Sequence, residues 1–222
     1  MPTDIVISYD GTPNDDDALM LGRMLKQAGA SLSLAYVRHA REYDPRREEL
    51  GIHDADRRLE QGAMWLGDEG IARHVVVDPS TSSGLAALAA SLGVAAVIFG
   101  SDYRTAPGSV QPGASAQGLL EGGSVAVGVA AAGLRTHNGS GLRRISFASD
   151  DSAGTAADTA RAIAAASGAE LVPVAGEADL ILVDSRASAP DGTVELDGVT
   201  RGWLDSARGS VLVLPHGISL TF

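Results

Sequence analysis

The sequence predicts an α/β protein built on largely parallel sheet, in two tandem units of which the second is shortened. Three observations carry this. Over the first 130 residues, short uninterrupted apolar runs alternate with amphipathic stretches, the pattern of parallel strands joined by helical crossovers and covered on both faces. The stretch 131–143, with Thr136-His137-Asn138-Gly139-Ser140-Gly141 inside it, has linker composition and no apolar period. Beyond it the pattern resumes in abbreviated form.

In chain order, Ile5 to Ser8 is a short apolar strand from which Tyr9-Asp10-Gly11 turns. Thr12 then reads as a helix cap, Pro13 as the first helical position and Asp15 as a first-turn acid. Ala18, Leu21, Gly22, Leu25 and Ala28 follow at helical spacing, and Gly29 is the expected stop. Leu32 to Val37 is a second strand. The charged segment from Glu42 to Asp54 precedes a second helix that aligns Ala55, Leu59, Ala63 and Leu66 on one face. Val75 to Val77 is a third strand, Ser83 to Ser91 a third helix, Val94 to Phe99 a fourth strand and Ser124 to Val129 a fifth. The run Val94 to Phe99 opens into Gly100-Ser101-Asp102-Tyr103-Arg104 and a loop that ends at Gly113. The carboxyl end of such a strand is where open α/β sheets hold ligands.

The second unit aligns with the first as an internal repeat. Asp10 falls on Asp150, Thr12 on Ser152 and Gly29-Ala30 on Gly168-Ala169; later, Val94 to Ser101 falls on Ala178 to Ser185 and Gly123-Ser124-Val125 on Gly209-Ser210-Val211. The offset drops from 140 (150 − 10) to 84 (184 − 100), so the counterparts of the second helix, third strand and third helix are missing. Leu171 to Val174 and Leu180 to Val183 are too close for an ordinary parallel crossover. They form either an antiparallel hairpin or two strands joined by an extended chain.

Composition excludes several classes. With 17 basic residues against 28 acidic ones the formal net charge is −11, which disfavours nucleic acid or an anionic membrane as partner. The absence of cysteine removes disulfides, thiolate nucleophiles and cysteine-ligated metals. Neither a signal peptide nor a membrane-spanning run is expected, and a cytoplasmic location fits best.

The strand ending in Asp10-Gly11-Thr12, Val77-Asp78-Pro79 before the third helix, and the glycine loop together resemble the universal stress protein family. The resemblance implies two Rossmann-like, adenine-nucleotide-hydrolase-like parallel-sheet domains with strand order 3-2-1-4-5: residues 1–130, a 131–143 linker, and a truncated 144–222. It implies a binding or regulatory module in the stress response. A scaffold that has lost nucleotide binding, or an adenine-nucleotide hydrolase, are the alternatives. In dimers of that family the fifth strands pair antiparallel, and both copies are present here as Ser124 to Val129 and Ser210 to Leu214. An exposed apolar edge strand invites aggregation. The two are therefore expected to pair within one chain as a pseudo-dimer, which leaves any homodimer to another surface.

By the same resemblance, Asp10 and Val37 meet an adenine edge, and Gly100, Gly113, Ala114 and Ser115 line the ribose and phosphates of ATP or AMP. The family loop has a glycine where Tyr103 stands and a hydroxyl residue where Ala114 stands, so Tyr103 is expected to fill or flank the ribose space. Gly113-Ala114-Ser115 can still offer N–H groups to an anion. Arg104 is the only basic residue in the loop and Lys26 the only lysine in the chain, so no Gly-Lys-Ser/Thr phosphate loop exists. In the second unit Asp184 stands where Gly100 does, and would repel phosphate. Gly198-Val199-Thr200 falls on Gly113-Ala114-Ser115.

No metal is expected. Asp15, Asp16 and Asp17, being consecutive on a helix, cannot converge on one ion and complement the helix dipole instead. His39, His53, His74, His137 and His216 lack metal-ligand spacing, and His74 is the one expected to be partly buried. Neither a Gly-x-Ser-x-Gly nor a Gly-x-Gly-x-x-Gly motif occurs, so no catalytic residues are assigned.

Overall fold

A computed structural model describes residues 3–136, 141–148, 154–173 and 178–222. The first half of the chain forms β1 (Asp4–Ser8), α1 (Pro13–Gln27), β2 (Ser31–Arg38), α2 (Pro45–Leu66), β3 (Ala72–Val77), α3 (Thr81–Leu92), β4 (Ala96–Gly100), α4 (Ala114–Leu120) and β5 (Ala126–Ala130). The second forms β6 (Arg144–Ala148), α5 (Thr155–Ser167), β7 (Glu170–Leu171), β8 (Leu180–Asp184), α6 (Gly198–Ser206) and β9 (Ser210–Leu214). Among the described residues these strands make one nine-stranded sheet in the order β3-β2-β1-β4-β5-β9-β8-β6-β7. Its first five strands have the order the resemblance implied.

Burial explains the apolar runs. Ile5 and Ile7 face α1, α2 and α5 on one side of the sheet, while Val6 faces the layer of α3, α4 and α6 on the other. A strand covered on both faces has no position left for polar alternation.

The starts of α1 and α2 follow the capping rules, with one correction. At α1, Asp15 accepts from Thr12 N at 2.9 Å and from Thr12 Oγ1 at 2.7 Å. The segment 42–54, taken above to precede the second helix, is largely its first turns: Asp44 caps Arg46 N at 2.8 Å and Pro45 opens α2. These turns are mostly exposed, so they carry no apolar period from which a helix could be read.

β7 and β8 lie on opposite sides of β6, both parallel to it, which excludes the hairpin. Leu171 and Leu180 both pair with Ile145. The chain leaves β7 at the level where it joins β8, so no strand length has to be retraced and no crossover helix is needed. Residues 174–177 of that connection lie outside the described residues, as do His137 and the expected matches at Asp150 and Ser152.

The expected pairing of the two fifth strands is present. β5 and β9 run antiparallel, with Val127 opposite Val213, Gly128 opposite Leu212 and Val129 opposite Val211. The loops after β4 and β8 repeat one hydrogen-bond pattern 84 positions apart (185 − 101): Ser101 Oγ donates to Ala130 O and Ser185 Oγ to Leu214 O, each at 2.7 Å. Gly108 N donates to Ala132 O and Gly192 N to His216 O, each at 2.8 Å. The loops also cross the seam. Gly209 N donates to Gly108 O at 3.1 Å, and Gly122 N to Val194 O at 2.8 Å.

Candidate functional site

The chain passes from β1 to one side of the sheet and returns with β4 on the other, so the helices that follow β1 and β4 diverge. This leaves a crevice at the carboxyl ends of the two strands. A cavity of about 400 Å³ opens there.

Asp10, Val37, Gly100, Gly113, Ala114 and Ser115 all line it. Their reasons for being there differ. A Cβ on Gly100 would lie 2.1 Å from the carbonyl oxygen of Asn14, so glycine is required by the close approach of α1. The Asn14 Nδ2 donor to Ser101 O, at 2.8 Å, holds that approach. A Cβ on Gly113 would meet no atom within 4 Å, and its φ of −72° suits any residue. Gly113 keeps space open in the cavity; the backbone does not demand it.

Tyr103 is corrected by the structure. It is 72% exposed and does not line the cavity, and the Arg104 guanidinium lies 4.9 Å from its ring centroid. The cause is the path of the loop, which Ser101, Gly108 and Gly209 bind to the seam, carrying residues 102–109 away from the crevice. Replacing Tyr103 with Gly should therefore leave the affinity of any ligand in the cavity within about twofold, the scatter of an exposed substitution. A titration showing a tenfold gain would restore the steric reading.

The guanidinium nearest the cavity comes from another element. His39 lines it, and Arg58 of α2 donates Nη1 to Asp10 O at 2.5 Å while lying 5.4 Å from the Tyr36 ring centroid. No local motif announces Arg58, which is 48 positions from Asp10. Its one sequence signal is its place on the polar side of a helix that packs by Leu59.

The three consecutive acids do three things. Burial, with the Asp10 carboxyl beside it, pushes Asp15 up to about 7, against the hydrogen bonds from Thr12. Asp16 faces the buried Tyr9, whose hydroxyl is raised to about 12 by burial first and then by the surrounding carboxylates. Asp17 is buried. It accepts from Gly133 N at 2.9 Å, Arg135 N at 2.7 Å and Arg135 Nη1 at 2.7 Å, and so ties α1 to the turn after β5. The dipole account thus misses both Asp15, whose raised value removes the fixed negative charge it needs, and Asp17, because a buried acid is placed by its partners. Among the described residues no group of three or more His, Asp or Glu is placed to hold a metal. His74 is half-buried on β3, and burial lowers it.

A counterpart cavity of about 360 Å³ lies at the ends of β6 and β8. There Asp184 accepts from Ala156 N at 2.7 Å and from the Thr155 hydroxyl, so its carboxylate occupies the start of α5. The expected match of Gly198 to Gly113 is off by one. Asp197 is the cap of α6 as Gly113 is of α4, and it accepts from Val199 N and Thr200 N, each at 2.9 Å.

No protein-family model matches the chain, and no curated protein does. Among solved structures, a universal stress protein from Archaeoglobus fulgidus DSM 4304 superposes with a TM-score of 0.68 at 16% identity, over 96% of this chain and 98% of that one. A functionally unknown protein from Pseudomonas aeruginosa PAO1 does so with a TM-score of 0.63 at 13% identity, over 96% and 93%. The chain has the universal stress protein fold over nearly its whole length. No helix among the described residues is long and apolar enough to cross a membrane.

Proposed function

We propose that this chain is a universal stress protein-like binding or regulatory module whose first cavity takes an adenine nucleotide, ATP or AMP. The observation that carries the reading is convergence: Asp10, Val37, Gly100, Gly113, Ala114 and Ser115 come from β1, β2, β4 and the start of α4, and meet in one crevice at the switch point of the sheet. Binding is favoured over catalysis because among the described residues neither Ser115 nor Thr81 is hydrogen-bonded to a base, and the Thr12 hydroxyl, which donates to Asp15 at 2.7 Å, is outside the cavity lining. The second cavity, with Asp184 and Asp197 at its helix starts, takes no nucleotide in this proposal. The division into units 1–130 and 144–222 joined by 131–143, a cytoplasmic setting, and a homodimer through a surface other than the seam belong to the same proposal.

The test is calorimetric titration of ATP, AMP and adenosine. All three should bind, and Gly113→Asp, by aiming a carboxylate into the open space, should weaken ATP about tenfold or more while adenosine changes little. Equal loss for both would remove the phosphates from that wall. No binding of any of the three would favour the scaffold reading, which the commitment of the 101–113 loop to the seam supports.

A further inference from the structure

Asp15 lines the first cavity together with Asp10, and among the described residues no arginine or lysine forms an ion pair with either carboxyl. Three donors reach Asp15: Thr12 N at 2.9 Å, Thr12 Oγ1 at 2.7 Å and Asp10 N at 3.2 Å, all ending on Oδ2. Oδ1 accepts none among the described residues. Burial and the neighbouring Asp10 carboxyl outweigh the Thr12 bonds and hold the group at about 7, so near neutral pH many molecules keep a proton there. That proton belongs on Oδ1, since Oδ2 is already the acceptor for three donors. Around it stand the Asp10 carboxylate after β1, the Tyr9 hydroxyl with Asp16, His39 at the end of β2, and Arg58 of α2, whose Nη1 donates to the Asp10 carbonyl. The cavity wall thus holds an O–H donor next to a carboxylate acceptor.

We propose that Asp15 reads the base in this cavity: its Oδ1–H donates to a ring nitrogen of adenine, and the Asp10 carboxylate accepts from the exocyclic amino group beside that nitrogen. The inference rests on the adenine-nucleotide reading of the cavity and adds the residue that selects the base. Adenine presents an amino donor next to a ring-nitrogen acceptor, the complement of this pair. Hypoxanthine and guanine carry a carbonyl oxygen in place of the amino group, and that oxygen would face the Asp10 carboxylate with no proton to offer. Ionised Asp15 loses its donor, so the selection weakens as pH rises through the range in which the carboxyl titrates. Asparagine in its place has an N–H where the acid has its O–H, and alanine has neither.

The experiment compares AMP with IMP by calorimetry on the full chain at about pH 6 and about pH 8, on either side of the Asp15 midpoint. Both ligands carry the same phosphate, so its own titration cancels in the ratio of the two affinities. The unaltered protein should prefer AMP about tenfold or more at the lower pH, with a ratio several-fold smaller at the higher. Asp15→Asn should keep the preference and make it independent of pH, and Asp15→Ala should bring the ratio toward one at both. The asparagine variant retains an oxygen for the Thr12 donors, so it carries the test should the alanine variant fail to fold. Equal affinities in the unaltered protein, a preference unchanged between the two pH values, one that Asp15→Ala retains, or one that Asp15→Asn loses overturns the role of Asp15 while leaving AMP binding in place. Binding of neither ligand overturns the nucleotide reading itself, and this proposal with it.

Discussion

Val127→Pro should destabilise the protein by more than about 3 kcal/mol or drive it into aggregates. Val127 is fully buried in β5, and it is paired on one side with Val97 of β4 and on the other with Val213 of β9. Proline removes the N–H of a central strand residue, and its ring crowds the neighbouring strand whichever side that N–H faces. Val127→Ala keeps the donor and loses only side-chain volume, so it should cost about 1–3 kcal/mol and separates the ladder from the packing. Urea denaturation of both variants measures the difference. A soluble Val127→Pro protein with an unchanged midpoint would mean that the seam contributes nothing to the stability of the fold.

Asp17→Ala should be the next most costly change, at about 3 kcal/mol. Its carboxylate is 1% exposed and satisfies three donors on the turn after β5. Removal leaves two backbone N–H groups without their acceptor, each at about 1–3 kcal/mol, and a guanidinium without its partner. The Arg135 side chain is 33% exposed, so water recovers part of that last loss. Asp17→Asn retains one acceptor oxygen and should lose about half as much. Identical denaturation midpoints for Asp17→Ala and the unaltered protein would show that the turn finds other acceptors.

What could be read from the residues alone was whatever is local. The apolar runs of β1, β4, β5 and β9 declare themselves because a strand covered on both faces has a continuous signature over three to five residues. The seam was legible through the family resemblance, in whose dimers the fifth strands pair antiparallel; the residues alone offered two apolar runs at corresponding places in a repeat, each with an edge to cover. The site was half legible. The glycine spacing found Gly100 and Gly113, but not that the first is fixed by Asn14 and the second by nothing but space. The first turns of α2 were hidden because exposed charge has no period, although Asp44-Pro45 stood there as a cap and first position. Asp17, Tyr103 and Arg58 were misread or missed for one physical reason. Each takes its role from a partner or a loop path set by tertiary packing, between residues 116 positions apart for Asp17 and Gly133 and 48 for Arg58 and Asp10.

The antiparallel meeting of β5 with β9 has a consequence for what each half is free to become. Two identical chains joined across a two-fold axis must accept every substitution twice, once on each side, so neither copy can change alone. Here the halves are tethered in one polypeptide, and their encounter is intramolecular and indifferent to dilution. A residue altered in one half is altered once. Asp184 and Asp197 standing where the first half has Gly100 and Gly113 are an asymmetry that two copies of one chain could not hold, with the helix starts capped by carboxylates in one crevice and not in the other.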